Sequence, residues 1–237
     1  MTTSIEASES TEFLGKRCSL LRRRPDMDRL AFRRHWVGPH AAIAIRMPGI
    51  AHYTQNRLDE PLWQIAERSR GYEADGIVEL EFRDERSMQE ANAGPVVREM
   101  LPPDELRFLE AITLCQVPAG AAQIRYGLAK VMLALRFADA ARDGIRMLAE
   151  AIAALGCVAH TVESVAATFH RTQLQHESEP PDVFATLWFD DAAGARAALA
   201  GGAWPHWAGR ALRRGTAWLC DPLPIVLDGK PCDEHRS

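Results

Sequence analysis

A chain of 237 residues, 47% hydrophobic and 25% charged, is long enough to bury a sizeable core, as one large domain or two small ones. Its net charge of −4 gives no electrostatic case for nucleic acid, which is held mainly through phosphate neutralisation. The five cysteines, Cys18, Cys115, Cys157, Cys220 and Cys232, are odd in number and have no close pair at metal-ligand spacing, which argues against a disulfide scaffold and a cysteine-rich zinc site.

Met1 to Ser10 is polar and acidic, without the basic start and apolar run of a signal peptide, and no stretch reaches the length of a membrane helix. The expectation is a reduced, cytoplasmic protein with a flexible start over 1–14 and no membrane or nucleic-acid partner. Arg17 to Arg23 reads as a strand stopped by Pro25-Asp26. Asp28 to Arg46 reads as a helix, capped by Asp26 or Asp28 and ended by Pro48-Gly49, with Pro39 expected to kink or interrupt it near Gly38. Ile50 to Arg57 is a second strand, Pro61 to Asp75 a mostly polar connection, and Ile77 to Arg83 a third strand. Glu85 to Asn92 is a helix and Ile112 to Val117 the last strand. After a linker at Pro118 to Gln123, the same order is expected from Gly127 to Phe137, Asp139 to Leu155, Cys157 to His170, Val183 to Phe189, Ala192 to Leu199 and Thr216 to Cys220.

The second half repeats the first. Aligned without gaps, Asp75–Gly94 and Asp182–Gly201 share Asp75 with Asp182, Leu80 with Leu187, Phe82 with Phe189 and Asp84 with Asp191. Ala91 with Ala198 and Gly94 with Gly201 continue the match, and Leu114-Cys115 returns as Leu219-Cys220. Each unit is a βαββαβ, ferredoxin-like split unit. The expected fold is α+β: two tandem ferredoxin-like units, residues 15–118 and 124–223, packed as a pseudo-dimeric α+β barrel, with 224–237 as a C-terminal tail.

Chemistry concentrates in the first half. Phe32, Trp36, His40, Ile43 and Met47 recur at three- and four-residue steps, so they share one helix face that is apolar except for His40. An imidazole there suits proton exchange near neutrality, although a hydrogen-bonded core histidine gives the same pattern. Strand alternation puts Tyr53 and Gln55 on one face and His52, Thr54 and Asn56 on the other, and leaves open which face lines a pocket. The helix at Asp139 to Leu155 turns Ile145, Leu148, Ile152 and Leu155 inward and carries no His, Trp or Tyr. That half reads as scaffold, so one working site per chain is expected.

Phe32 to His40 (FRRHWVGPH), then Met47-Pro48-Gly49 and Tyr53-Thr54-Gln55-Asn56, resembles the EthD family of small dimeric α+β barrel proteins. Asp75 to Phe82 resembles that family's third strand, and Asp104 to Leu109 its acidic-aromatic lead into the fourth; the likeness covers Arg17 to Val117. The family includes accessory proteins of ether degradation and relatives that dehydrate, decarboxylate or cyclise aromatic and polyketide-like compounds without a cofactor. By this resemblance His40 is the family's helix histidine and Tyr53 its strand tyrosine. The expectation is a cofactor-independent lyase or isomerase acting on a small hydrophobic aromatic or carbonyl compound. His40 is then the general acid-base and Tyr53 the carbonyl partner, and Phe32, Trp36, Met47, His52 and Asn56 bind substrate. A non-catalytic small-molecule-binding or accessory protein, and a cofactor-free oxidoreductase using oxygen, are the alternatives; a homodimer is possible.

Other polar groups carry weaker expectations. His35, five residues from His40, lies well round an α-helix and is not expected to share a metal with it. His160 and His170 read as surface or strand histidines, and nothing flanking His170 resembles a haem site. Glu79 and Glu81 read as a solvated or rim face. Arg22, Arg23 and Arg24 read as a solvated basic edge or as an attractor for an anionic substrate. No glycine-rich nucleotide loop, nucleophile elbow or histidine-rich metal motif occurs, so no metal and no other cofactor are expected.

Overall fold

The computed structural model describes residues 15–65, 71–119, 125–138 and 143–232. The expected flexible start, most of the expected linker and the expected beginning of the second helix lie outside these residues. Among these residues ten strands form one antiparallel sheet, curled into a barrel. In chain order they are β1 (Lys16–Arg23), β2 (Ile50–Gln64), β3 (Gly76–Phe82), β4 (Leu109–Val117), β5 (Ala129–Phe137), β6 (Ala159–Ser164), β7 (Ala167–Phe169), β8 (Val183–Phe189), β9 (Leu212–Leu227) and β10 (Lys230–Pro231). Side by side the order is β6-β8-β5-β9-β2-β3-β1-β4-β7, with β10 on β9. β6 and β7 are one run of chain broken at Val165-Ala166, so pairing of β6 with β8 and of β7 with β4 brings the ends of the sheet together. Two seams join the halves, β2 against β9 and β4 against β7.

Helices cover the outer faces. The first half carries α1 (Arg29–His35), a π-helical turn at Trp36–His40, α2 (Ala41–Ala44), α3 (Glu85–Ala93), a second π turn at Val96–Met100 and α4 (Leu101–Phe108). The second carries α5 (Gly144–Ala153), α6 (Ala192–Ala200) and α7 (Ala203–Ala211). Among the described residues no helix is long and apolar enough to cross a membrane.

The repeat is structural. Leu20 pairs with Ile77 and Ala134 with Phe184, the same register in both halves. Asp84 caps α3 by accepting from Ser87 N at 2.7 Å, and Asp191 caps α6 by accepting from Gly194 N at 2.7 Å. Asp75 accepts from Arg23 N and Asp182 from Phe137 N, each at 2.9 Å. Gly94 and Gly201 end α3 and α6; a Cβ at Gly201 would stand 2.9 Å from Ala197 O.

Several boundaries differ from the sequence reading. β2 runs through Pro61 to Gln64, because this stretch lies along β9 rather than spanning open solvent. α4 and α7 were not expected. Pro102-Pro103 and Pro205 stand in their first turns, where proline costs no helical hydrogen bond. The stretch Cys157 to His170 is two strands in place of one. β9 continues past Cys220 and turns at Asp228-Gly229 into β10, so 224–231 is a hairpin where a tail was expected.

Closing the barrel also turns one expected rim face inward. Glu79 is buried, 2.9 Å from Lys16 Nζ and hydrogen-bonded to Lys130 and Asn56. Burial opposes its charge, but Lys130 and Lys16 outweigh that and hold the carboxyl far below its ordinary range. Lys16 and Lys130 stand at matching positions of β1 and β5, so the polar centre of the barrel straddles both halves.

Candidate active site between the first helix and the sheet

Asp28 starts α1 by accepting from Ala31 N at 2.6 Å. The helix then loosens. Pro39 has no N–H, and the Ala41 N–H reaches back to Trp36 O, five residues away, in the manner of a π turn. In an uninterrupted α-helix His35 and His40 would lie about 140° apart. The π turn brings them to one side, where both meet Asp104 of α4. His35 Nε2 lies 2.9 Å from Asp104 Oδ1, and His40 Nδ1 lies 2.9 Å from Oδ2. Phe108, one turn further along α4, packs on both imidazoles, with ring centroids 4.7 Å from His35 and 5.0 Å from His40. The two histidines therefore do share a partner, and it is a carboxylate. Burial works against the Asp104 charge, yet the hydrogen bonds from His40 and His35 prevail and hold its carboxyl below the ordinary range. An ionised Asp104 fixes a proton on His40 Nδ1 and leaves Nε2 as the basic nitrogen.

His40 lines a cavity of about 60 Å³ between the helices and the sheet, together with Trp36, Met47 and Tyr53. Arg17 and Ser19 of β1 close one side, and Glu105 of α4 and Arg171 of the second half close another. Trp36 is fully buried and packs on β3 at Gly76, where a Cβ would stand 2.4 Å from the indole ring. Tyr53 Oη accepts a hydrogen bond from Gln55 Nε2 at 2.8 Å, and the same Gln55 nitrogen donates to Trp36 O at 2.8 Å. With its oxygen engaged as an acceptor, the Tyr53 hydroxyl is left to donate. Burial pushes its pKa well above the usual phenol value, so it stays protonated.

Of the residues singled out from sequence, His40, Tyr53, Trp36 and Met47 meet at this cavity. Phe32 does not line it but stands behind Trp36, ring centroids 5.4 Å apart, in a layer with Leu21, Phe108 and Ile112. His52 and Asn56 fall on the other strand face, as period-two alternation requires once Tyr53 faces the helices. Asn56 is inside the barrel, donating to Glu79 and Ile77 O and accepting from Lys130, and His52 lies 3.8 Å from Asp228 at the β9–β10 turn. His170 packs on His176, and His160 stands by Cys157. Arg22, Arg23 and Arg24 each pair with a carboxylate, Glu110, Asp75 and Asp26 respectively. Among the described residues no group of three or more His, Cys, Asp or Glu side chains is arranged to hold a metal ion.

Sequence reasoning missed Asp104 as a site residue, along with Phe108, Glu105, Ser19, Arg17 and Arg171. One signal was available: Leu101, Asp104, Glu105 and Phe108 recur at helical steps around a proline pair, which places two acids beside an apolar stripe.

Residues 24–111 match the EthD domain model, a stretch from the start of the first helix region into β4. An anthrone oxidase-like protein of known crystal structure superposes with a TM-score of 0.56 at 14% identity, over 91% of this chain and 94% of that one. A candidate monooxygenase from Fusobacterium nucleatum superposes with a TM-score of 0.50 at 5% identity, over 92% and 97% of the two chains. At such identities the likeness is one of fold. No curated protein is significantly similar in sequence.

Proposed function

We propose that the chain, whose residues 24–111 match the EthD domain model, is a small-molecule enzyme of the dimeric α+β barrel superfamily that moves protons at His40 without a cofactor, as a lyase or isomerase of an aromatic or carbonyl compound. One observation carries the reading: Asp104 holds His40 by Nδ1 at 2.9 Å while the ring lines a cavity. A carboxylate behind an imidazole fixes the tautomer and supports the imidazolium that forms when Nε2 takes a proton. Tyr53 donates to the substrate carbonyl oxygen as negative charge gathers there. His35 steadies the other oxygen of Asp104, and Trp36 and Met47 are the apolar wall. Every one of these groups comes from one chain, so the site is complete without a second copy.

The test is solvent-deuterium exchange at the carbon beside the carbonyl, followed by NMR over a panel of aromatic and polyketide-like ketones with no cofactor added. Exchange or elimination that disappears in His40→Gln supports the proposal. Oxygen uptake dependent on substrate would replace it with an oxidoreductase. Saturable binding with neither exchange nor oxygen uptake would make the chain a binding or accessory protein.

A further inference from the structure

Among the described residues Arg17 is a cation with no carboxylate of its own, since the nearby Glu105 is taken by Arg171. It stands second in β1 on the face that looks towards the helices, lines the His40 cavity, and makes its direct contacts with neutral groups: its NH2 donates to Asn92 Oδ1, and its Cζ lies 5.7 Å from the centre of the Phe82 ring. Among the described residues it forms no ion pair with a carboxylate. Arg171, from the loop after β7, reaches the same cavity and is held by Glu105, with Nε 2.8 Å from Oε2 and NH2 3.1 Å from Oε1. Two guanidiniums thus face one carboxylate in a poorly solvated place, where an unbalanced charge is costly. Burial, and then Arg171, push the Arg17 pKa down to about 10 against the smaller opposing pull of Glu105. Two residues along β1, on the same strand face, the Ser19 hydroxyl is fully buried, lines the same cavity and has no hydrogen-bond partner among the described residues.

Resting on the His40 site proposed above, we propose that Arg17, Arg171 and Ser19 form an anion subsite of this cavity that takes a carboxylate group of the substrate. The carboxylate supplies the missing negative charge to Arg17 and an acceptor to the Ser19 hydroxyl. It also competes with Glu105 for Arg171. Glu105 and Arg171 are shared with an outer groove of about 340 Å³ walled by Pro102, Leu106 and Thr172, so their ion pair stands between solvent and the inner cavity. An arriving carboxylate that takes Arg171 from Glu105 opens that partition as it binds.

The experiment is calorimetric titration of the whole chain with acetate and benzoate, each against its neutral amide, acetamide and benzamide, at low ionic strength. At least one carboxylate binds about tenfold tighter than its amide or better, and Arg17→Gln and Arg171→Gln each remove about that preference. Glu105→Gln, which takes away the competing carboxylate, tightens binding. Arg22→Gln, at a paired surface arginine, leaves it unchanged. Because Arg17→Gln sits in a strand and risks the fold, Arg171→Gln, in a loop, carries the test by itself if the former does not fold. Equal affinity for acid and amide, no binding of either acid, or carboxylate binding unaltered in Arg171→Gln overturns the subsite. The readout is binding, so it separates from the acid-base reading: His40→Gln keeps the carboxylate preference whether or not turnover is found.

Discussion

The helical run α1 to α2 and its counterpart α5 lie against equivalent strands of the two halves, and they are used in opposite ways. Under α5 the space is filled: Leu148 and Ile152 pack with Leu199, Trp204 and Ala208, all buried. Under α1 and α2 an imidazole, a phenol and two arginines border a cavity. The strands beneath make the contrast sharpest. Positions 17, 19 and 21 of β1 are Arg, Ser and Leu, and the matching 131, 133 and 135 of β5 are Val, Leu and Leu, all buried in the core of the second half. Residues that agree between the halves hold the fold, as the capping pair Asp84 and Asp191 does. Residues that disagree line the cavity beside His40.

The largest effect that would sharpen this contrast is kinetic. His40→Ala is expected to lower turnover by about 10² to 10⁴-fold while thermal unfolding moves little; a large stability loss with turnover intact would mean that His40 is core and that the halves do not differ in purpose. Next in size is Leu148→Ala, which should cost about 2–5 kcal/mol in denaturant unfolding with kcat unchanged. If it altered the chemistry as much as the stability, the second half would not be scaffold.

Gly76→Ala tests how tightly the first half is built around its cavity. The new methyl would meet the Trp36 ring, and overpacking of this kind costs about 1–3 kcal/mol; turnover should fall with it, since Trp36 forms a wall. Ser19→Ala goes the other way. Removing a buried hydroxyl with no partner should raise stability by about 1 kcal/mol, read as a higher midpoint in urea, at the expense of carboxylate binding.

The smallest effect is in pH. Asp104 has a folded-state pKa below its unfolded value, so its contribution to stability is present above about pH 3.9 and lost as pH falls through the lower folded value. Acid unfolding curves of the native chain and of Asp104→Asn should therefore converge on the acid side. Curves that stay parallel throughout would show that Asp104 is not ionised against the histidines.

The fold was legible because its signals are local and doubled. Capping aspartates, helix-ending glycines and alternating strand residues occur twice in the same order, and each acts within a few residues of itself. The site was legible only along the helix. Periodicity found His40, Trp36 and Met47, but it also predicted that His35 would point elsewhere, since a regular α-helix allows nothing else. The π turn at Trp36–His40 reverses that conclusion, and Pro39 hints at an interruption without giving its form. Period-two alternation split β2 into two faces, and only the packed helices show which face looks at the cavity. Asp104 lies 64 residues from His40 in sequence and Arg171 66 from Glu105. The first pairing is set by the packing of α4 on the π turn within the first half and the second by the β4–β7 seam; helical spacing marks Asp104 and Glu105 but does not say what either will meet. Ile145 is a smaller miss of the same origin: α5 turns Leu148 and Ile152 inward but leaves Ile145 38% exposed at its start.

The seams between β2 and β9 and between β4 and β7 lie within one polypeptide. Where two separate chains make the same closure, assembly is second order and dilution opens the barrel. Here it is a unimolecular event whose equilibrium is indifferent to how much protein is present. Joining the halves also ends an obligation of symmetric pairs, in which every substitution appears at two places. A polar residue put at position 19 of this chain need not be endured at 133, so the cost of an under-filled cavity falls once per barrel and not twice.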